Sequence, residues 1–210
     1  NVVDMSYMFN NCHFNQPINS WNTSNVRDMS YMFHSAGYFD QQLGSWDVSN
    51  VTNMEGIFGS KDAYGGGDFI KFNQDISGWD VGNVTDMSYM FYAATSFEQN
   101  LNSWNTSNVT KMDGMFTATI FESGIEEWDV SNVTSMQTMF YTSFFNGDIS
   151  GWDVSNVTNM QGMFGFTKAF NQDISNWCVS KITSRPHGFH SSFTFEIPEA
   201  YLPVWGTCPG

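Results

Sequence analysis

The sequence predicts an α/β repeat solenoid: a coil with a parallel β-ladder on one face and short helical or 3-10 turns on the other. Three observations predict it. Tryptophans recur at Trp21, Trp46, Trp79, Trp104, Trp128, Trp152 and Trp177, at intervals of 25, 33, 25, 24, 24 and 25 residues, the near-fixed period of a repeat array. Each sits in a copy of one unit, clearest as ISGWDVSNVTNMQGMF at Ile149 to Phe164. Within it, Ile149, Trp152, Val154, Val157, Met160, Met163 and Phe164 open with a strand-like step of two and continue with helix-like steps of three and four.

The strand is expected at Trp152 to Val154. Successive side chains alternate there, so Trp152 and Val154 face inward while Asp153 and Ser155 face solvent. The following segment has Asn156 and Thr158 as caps and Val157, Met160, Met163 and Phe164 on one stripe, which predicts a short helix or 3-10 turn. One rung cannot bury both faces of this set. Neighbours about 4.8 Å apart along parallel strands can, stacking like residues in columns. The phenylalanine columns run through Phe33, Phe58, Phe91, Phe116, Phe140, Phe164 and Phe189, and through Phe14, Phe39, Phe72, Phe97, Phe121, Phe145 and Phe170.

Taken in order, the chain opens inside a rung, since Asn1 to Phe9 matches Asn83 to Phe91. Further repeats or domains are therefore expected upstream. About seven rungs fill a repeat solenoid over 1–198. One interval carries eight extra residues in GSKDAYGGGDFIK, near 59–71. Loops inserted into one rung are where specific contacts are often built, so Lys61, Tyr64, Asp68 and Lys71 are candidate binding residues; a tolerated insertion without a role is the alternative. After Trp177 the unit degrades, with Cys178 in the aspartate position and Arg185, Pro186 and Gly188 in the turn. Residues 199–210 are read as a C-terminal cap, and the closing segment SSFTFEIPEAYLPVWGTCPG brings Phe193, Phe195, Ile197, Leu202 and Trp205 to cover the last rung. A disulfide between Cys178 and Cys208 would pin the cap and contribute about 3 kcal/mol. Cys12 remains, either a small buried apolar residue or a partner for something upstream.

Composition narrows the function. Seven lysines and arginines against 21 aspartates and glutamates give a net charge of −14, which repels nucleic acid and anionic lipid. No apolar run approaches the roughly 20 residues needed to cross a bilayer, so no membrane insertion is expected. The thirteen methionines lie on the apolar stripe and read as core. Catalysis needs convergent titratable groups, and His13, His34, His187 and His190 fall at unrelated repeat positions. The expectation is no enzyme, no cofactor and no metal centre.

The solvent-facing column after each tryptophan reads Asn22, Asp47, Asp80, Asn105, Asp129, Asp153 and Cys178. With Ser49, Ser131 and Ser155 it forms an acidic, hydroxyl-rich face suited to a basic partner or to Ca²⁺, although neither this column nor Asp75, Asp148 and Asp173 has the ligand spacing of a calcium loop. The simpler reading is a solvated face interrupted by asparagines. The repeated Asn-Val-Thr sequons read as turn or ladder asparagines in preference to glycan sites.

The units FNQDISGWDVGNVTDMSYMF (Phe72 to Phe91) and FNGDISGWDVSNVTNMQGMF (Phe145 to Phe164) resemble the repeat of BspA-like leucine-rich-repeat surface proteins. The spacing of Ile149, Trp152, Val154 and Val157 is similar to the leucine-rich-repeat strand motif, and the closing WCV and WGTCP segments also resemble that family. The resemblance implies a right-handed leucine-rich-repeat-like coil and a secreted or cell-surface location. It also implies non-enzymatic adhesion to a protein or glycan on another surface, and brings no catalytic residues. The alternatives are a structural spacer or filament subunit and, third, an ice- or mineral-binding array.

Overall fold

In the computed structural model, which describes residues 2–61, 70–191 and 196–210, the chain winds as a stack of rungs around one apolar core. Met29, Met32 and Phe33, and their counterparts up to Met160, Met163 and Phe164, are buried, as are Trp46, Trp79, Trp104, Trp128, Trp152 and Trp177. Phe33, Phe58, Phe91, Phe116, Phe140 and Phe164 stack rung on rung with ring centroids 5.5–5.9 Å apart. The second column, Phe39 to Phe170, repeats at 6.1–6.3 Å. Each ring of the first column also faces one of the second, as Phe58 faces Phe72 at 3.9 Å. Offset stacking of this kind adds to area burial, so the columns hold the rungs in line.

The backbone overturns the α/β expectation. Among the described residues the helical element is a three-residue 3-10 turn, Glu199–Tyr201, and parallel pairing is confined to single bridges. Among the described residues there is no β-ladder, and the leucine-rich-repeat-like strand does not form. The bridges lie at a different place from the expected strand, running Asp4, Asp28, Asn53, Asp86, Lys111, Ser135 and Asn159.

Local acceptors explain the missing strand. In the unit at Ile149, the Trp152 amide donates to the Ile149 carbonyl at 3.1 Å, the Ser155 amide to Asp153 Oδ1 at 3.0 Å and the Val157 amide to the Val154 carbonyl at 2.9 Å. Consecutive tight turns thus consume the donors that a ladder needs. The Thr158 amide then reaches the preceding rung, at the Thr134 carbonyl. Trp152 and Val154 are buried and Asp153 exposed, but on irregular backbone between two turns.

The expected helical turn is replaced by alternating peptides. The Tyr31, Phe33 and Ser35 amides donate to carbonyls of the next rung at Glu55, Ile57 and Gly59. Those of Met32, His34 and Ala36 instead close three-residue steps back to Met29, Tyr31 and Phe33. The alternation recurs along the stack up to the rung of Trp152, where the amides of Gly162, Phe164 and Phe166 donate to His187, Phe189 and Ser191 of the degraded rung. Turning alternate peptides outward requires left-handed backbone at two columns. One holds Tyr31, Gly56, Tyr89, Gly114, Thr138 and Gly162; the other holds Ser35, Ala93, Ala118, Thr142 and Phe166. Helix propagation is lost, while every rung gains aligned bonds to its neighbour, which satisfies backbone groups that a one-turn helix would leave orphaned.

Side chains repeat the stitching. The amides of Asn50, Asn83, Asn108, Asn132 and Asn156 donate to the preceding rung's carbonyls at 2.7–2.8 Å. The Thr52, Thr85, Thr110, Thr134 and Thr158 hydroxyls do likewise at 3.0–3.2 Å. Asn156 and Thr158 therefore bridge rungs and do not cap a helix. The indole Nε1 groups of Trp46, Trp79, Trp104, Trp128 and Trp177 donate to isoleucine or leucine carbonyls at 2.8–3.1 Å. Trp152 Nε1 is buried without a partner.

At the C-terminal end, Ile197 and Leu202 are buried, and Trp205 packs edge-on against Phe189 at 4.9 Å. Phe193 and Phe195 lie outside the described residues. The Ile174 and Val179 amides donate to the carbonyls of Tyr201 and Thr207. Cys178 and Cys208, 30 residues apart, form a disulfide with Cα atoms 4.0 Å apart. Cys12 is a half-buried free thiol whose Sγ faces the Phe9 carbonyl at 3.1 Å.

Candidate interaction surfaces

The acidic column is built by the turn that displaced the strand. Asp47 accepts from the Ser49 amide at 3.1 Å and its hydroxyl at 2.6 Å, while Asp80, Asp129 and Asp153 accept from the amides of Gly82, Ser131 and Ser155 at 2.9–3.1 Å. Bonds from the serine hydroxyl, and then its amide, hold the Asp47 and Asp153 carboxyls below the usual carboxylate range. Asn22 and Asn105 make the same contacts to Ser24 and Ser107. The geometry therefore needs the side-chain oxygen and not the charge. All four aspartates are exposed.

Asp75, Asp148 and Asp173 form the same turn on Ser77, Ser150 and Ser175. No group of three or more potential metal ligands assembles among the described residues. A calcium site would have to be assembled from carboxylates already committed to separate turns.

Of the inserted-loop candidates, Tyr64 and Asp68 lie outside the described residues. Lys61 and Lys71 are both exposed. Lys71 Nζ lies 4.9 Å from the centroid of the Tyr38 ring, which also packs against His13 at 5.0 Å.

That lysine belongs to a surface the repeat pattern does not announce. Between the two phenylalanine columns each rung turns a corner whose residues differ from copy to copy. Tyr38 and Phe144 are 42% and 38% exposed there. Lys168 Nζ sits 4.6 Å from the Phe144 ring centroid, and Tyr141 meets Phe166 edge-on at 5.4 Å. A cleft of about 370 Å³ opens beside Phe144, lined also by Thr95, Ala118, Thr119, Ile120, Thr142 and Lys168.

A third exposed set follows the first left-handed column. Tyr7 stacks on Tyr31 at 5.0 Å, and the Tyr31 hydroxyl donates to Glu55 Oε1. Burial, and then that bond, pushes the Tyr31 phenol up. Tyr31 lies across Gly56, and Tyr89 across Gly114. The one signal for these residues was the alternation of tyrosine and glycine at a single repeat position.

No curated protein and no solved structure matches the chain. A family of repeat proteins does, over residues 1–67, 67–143 and 117–201, which together span nearly the whole length. The chain belongs to the family described as Mycoplasma protein of unknown function, DUF285.

Proposed function

We propose that the chain is a non-enzymatic binding module, secreted or displayed at the cell surface, that recognises a protein or glycan on another surface. One observation carries the reading. The repeated residues are consumed by core stacking and rung-to-rung bonds, whereas the copies diverge where side chains are large and exposed, at Tyr38, Tyr89 and Phe144. A constant scaffold with a varied, aromatic-bearing surface is the organisation of repeat binding proteins. The Cys178–Cys208 bond supports an oxidising compartment. The resemblance of Phe145 to Phe164 to the repeat of BspA-like surface proteins supports adhesion.

The test presents the immobilised chain with purified extracellular-matrix proteins and a panel of neutral and acidic glycans, beside a variant carrying D47N, D80N, D129N and D153N. Asparagine already serves at Asn22 and Asn105, so the variant keeps the turns and loses four charges. Saturable binding supports the module, and its loss in the variant assigns it to the acidic column. A chain that binds nothing on the panel is a spacer, and the proposal fails.

A further inference from the structure

Around the cleft the described corner carries a lysine and no carboxylate. Of the molecule's 21 carboxylates, none falls in the described corner segments 10–13, 34–38, 59–61, 70–71, 92–96, 117–120, 141–144 and 165–169, whereas Lys61, Lys71 and Lys168 do; Asp62 and Asp68 stand between the first two lysines in the sequence, outside the described residues. Two of these lysines lie over exposed aromatic rings, Lys71 over Tyr38 and Lys168 over Phe144. The cleft of about 370 Å³ opens on the same corner.

Its lining is mostly apolar, with Ala118, Ile120 and the exposed Phe144 ring, and Lys168 supplies its charge. Ala118 and Thr142 hold left-handed backbone, with φ of 57° and 55°. Thr142 Oγ1 is buried with no hydrogen-bond partner. The left-handed backbone is that of the repeated column, so what sets Thr142 apart is its orphan hydroxyl, a buried polar group without a partner beside the cleft.

We propose that this cleft is the anchor pocket for an acidic protein partner, taking a large apolar side chain against Ile120 and Phe144 while Lys168 pairs with the carboxylate beside it. Charge complementarity selects this occupant. A chain of net charge −14 repels an acidic partner over most of its surface, so the corner segments around the cleft, 92–96, 117–120, 141–144 and 165–169, which hold no carboxylate, are where one can approach, and the repulsion elsewhere fixes its orientation. An apolar anchor in a concave site with a charged group at its rim is how interface hot spots are built. A saccharide needs many polar partners and would leave the apolar lining unused, and a polynucleotide needs a longer run of cations. The inference rests on the binding-module reading and names the partner chemistry for one of its surfaces.

The probe is N-acetylphenylalanine, an apolar body with one carboxylate, titrated into the ¹⁵N-labelled chain against its uncharged amide and against glucuronate. The expected result is saturable shifts of the Ile120, Phe144 and Lys168 amides at about millimolar acid. The amide should bind on the order of tenfold more weakly, glucuronate should give no saturation, and K168Q should abolish the difference between acid and amide. Lys168 is exposed, so K168Q is expected to fold; the comparison of acid with amide decides on the native chain in any case. Equal binding of acid and amide, shifts confined to other surfaces, or preferential saturation by glucuronate overturns the proposal. Those outcomes leave the binding module standing if the matrix and glycan panel is positive, so the two failures are distinguishable.

Discussion

Replacing Gly56 with alanine probes the left-handed column directly. Gly56 has φ of +60°, and an ideal Cβ there would stand 2.6 Å from both Cδ1 and Cε1 of Tyr31. Left-handed backbone costs an L-residue about 1–2 kcal/mol, offset by about 0.4–1 kcal/mol from the stiffer unfolded chain, which leaves about 1 kcal/mol. Tyr31 must also swing away, losing its bond to Glu55 and its stack on Tyr7, together about another 1–2 kcal/mol. Equilibrium urea unfolding of G56A should therefore show a loss of about 2–3 kcal/mol. In a Y31A background only the backbone share should remain, about 1 kcal/mol, giving a coupling of about 1–2 kcal/mol. A neutral or stabilising G56A, or additive single effects, would refute both the left-handed turn and the tyrosine packed over it.

Three further outcomes are expected. W128F removes an indole bond to the Leu101 carbonyl, whereas Trp152 Nε1 has no partner to lose; chemical unfolding should show W152F to be the milder change by about 1–3 kcal/mol. Reduction of Cys178–Cys208, closing 30 residues, should lower stability by about 3–4 kcal/mol, read as a lower unfolding midpoint under reducing conditions. The carboxyls of Asp47 and Asp153 are held low by their serines, so their contribution is complete above the unfolded value of about 3.9 and is lost as pH falls through the folded value. Thermal melts should accordingly be flat in these residues' contribution down to about pH 4 and decline below it, and D47N/D153N should decline less.

The rungs, the buried columns and the cysteine pair were legible because burial follows side-chain spacing, and stacking identical units repeats it. The backbone between them was not. Steps of two and three, as from Trp152 to Val154 and Val157, suit strand and helix in general but equally suit consecutive turns. Two signals pointed to the turns: Asp-x-Ser, which offers the backbone a local acceptor, and glycine recurring at positions 56, 114 and 162, which marks left-handed backbone. Tyrosine and threonine in the other copies masked the second. The acidic column was visible as residues, while its commitment to turns became readable only from the serine bonds. Tyr38, Phe144 and Lys168 were missed because they lie off the period, and a reading built on repetition discards what does not repeat.

Hydrogen-bond scalar couplings between backbone nitrogen and carbonyl carbon, recorded on ¹⁵N,¹³C-labelled protein, test the turn-built stack most directly. The stack requires couplings from the Tyr89, Phe91 and Ala93 amides to the Asp113, Met115 and Thr117 carbonyls of the next rung, alternating with couplings from Met90, Tyr92 and Ala94 back to Met87, Tyr89 and Phe91. Continuous couplings between successive Trp-Asp-Val segments, or from each amide to the carbonyl four residues before it, would contradict it and restore the ladder and helix that the spacing first suggested.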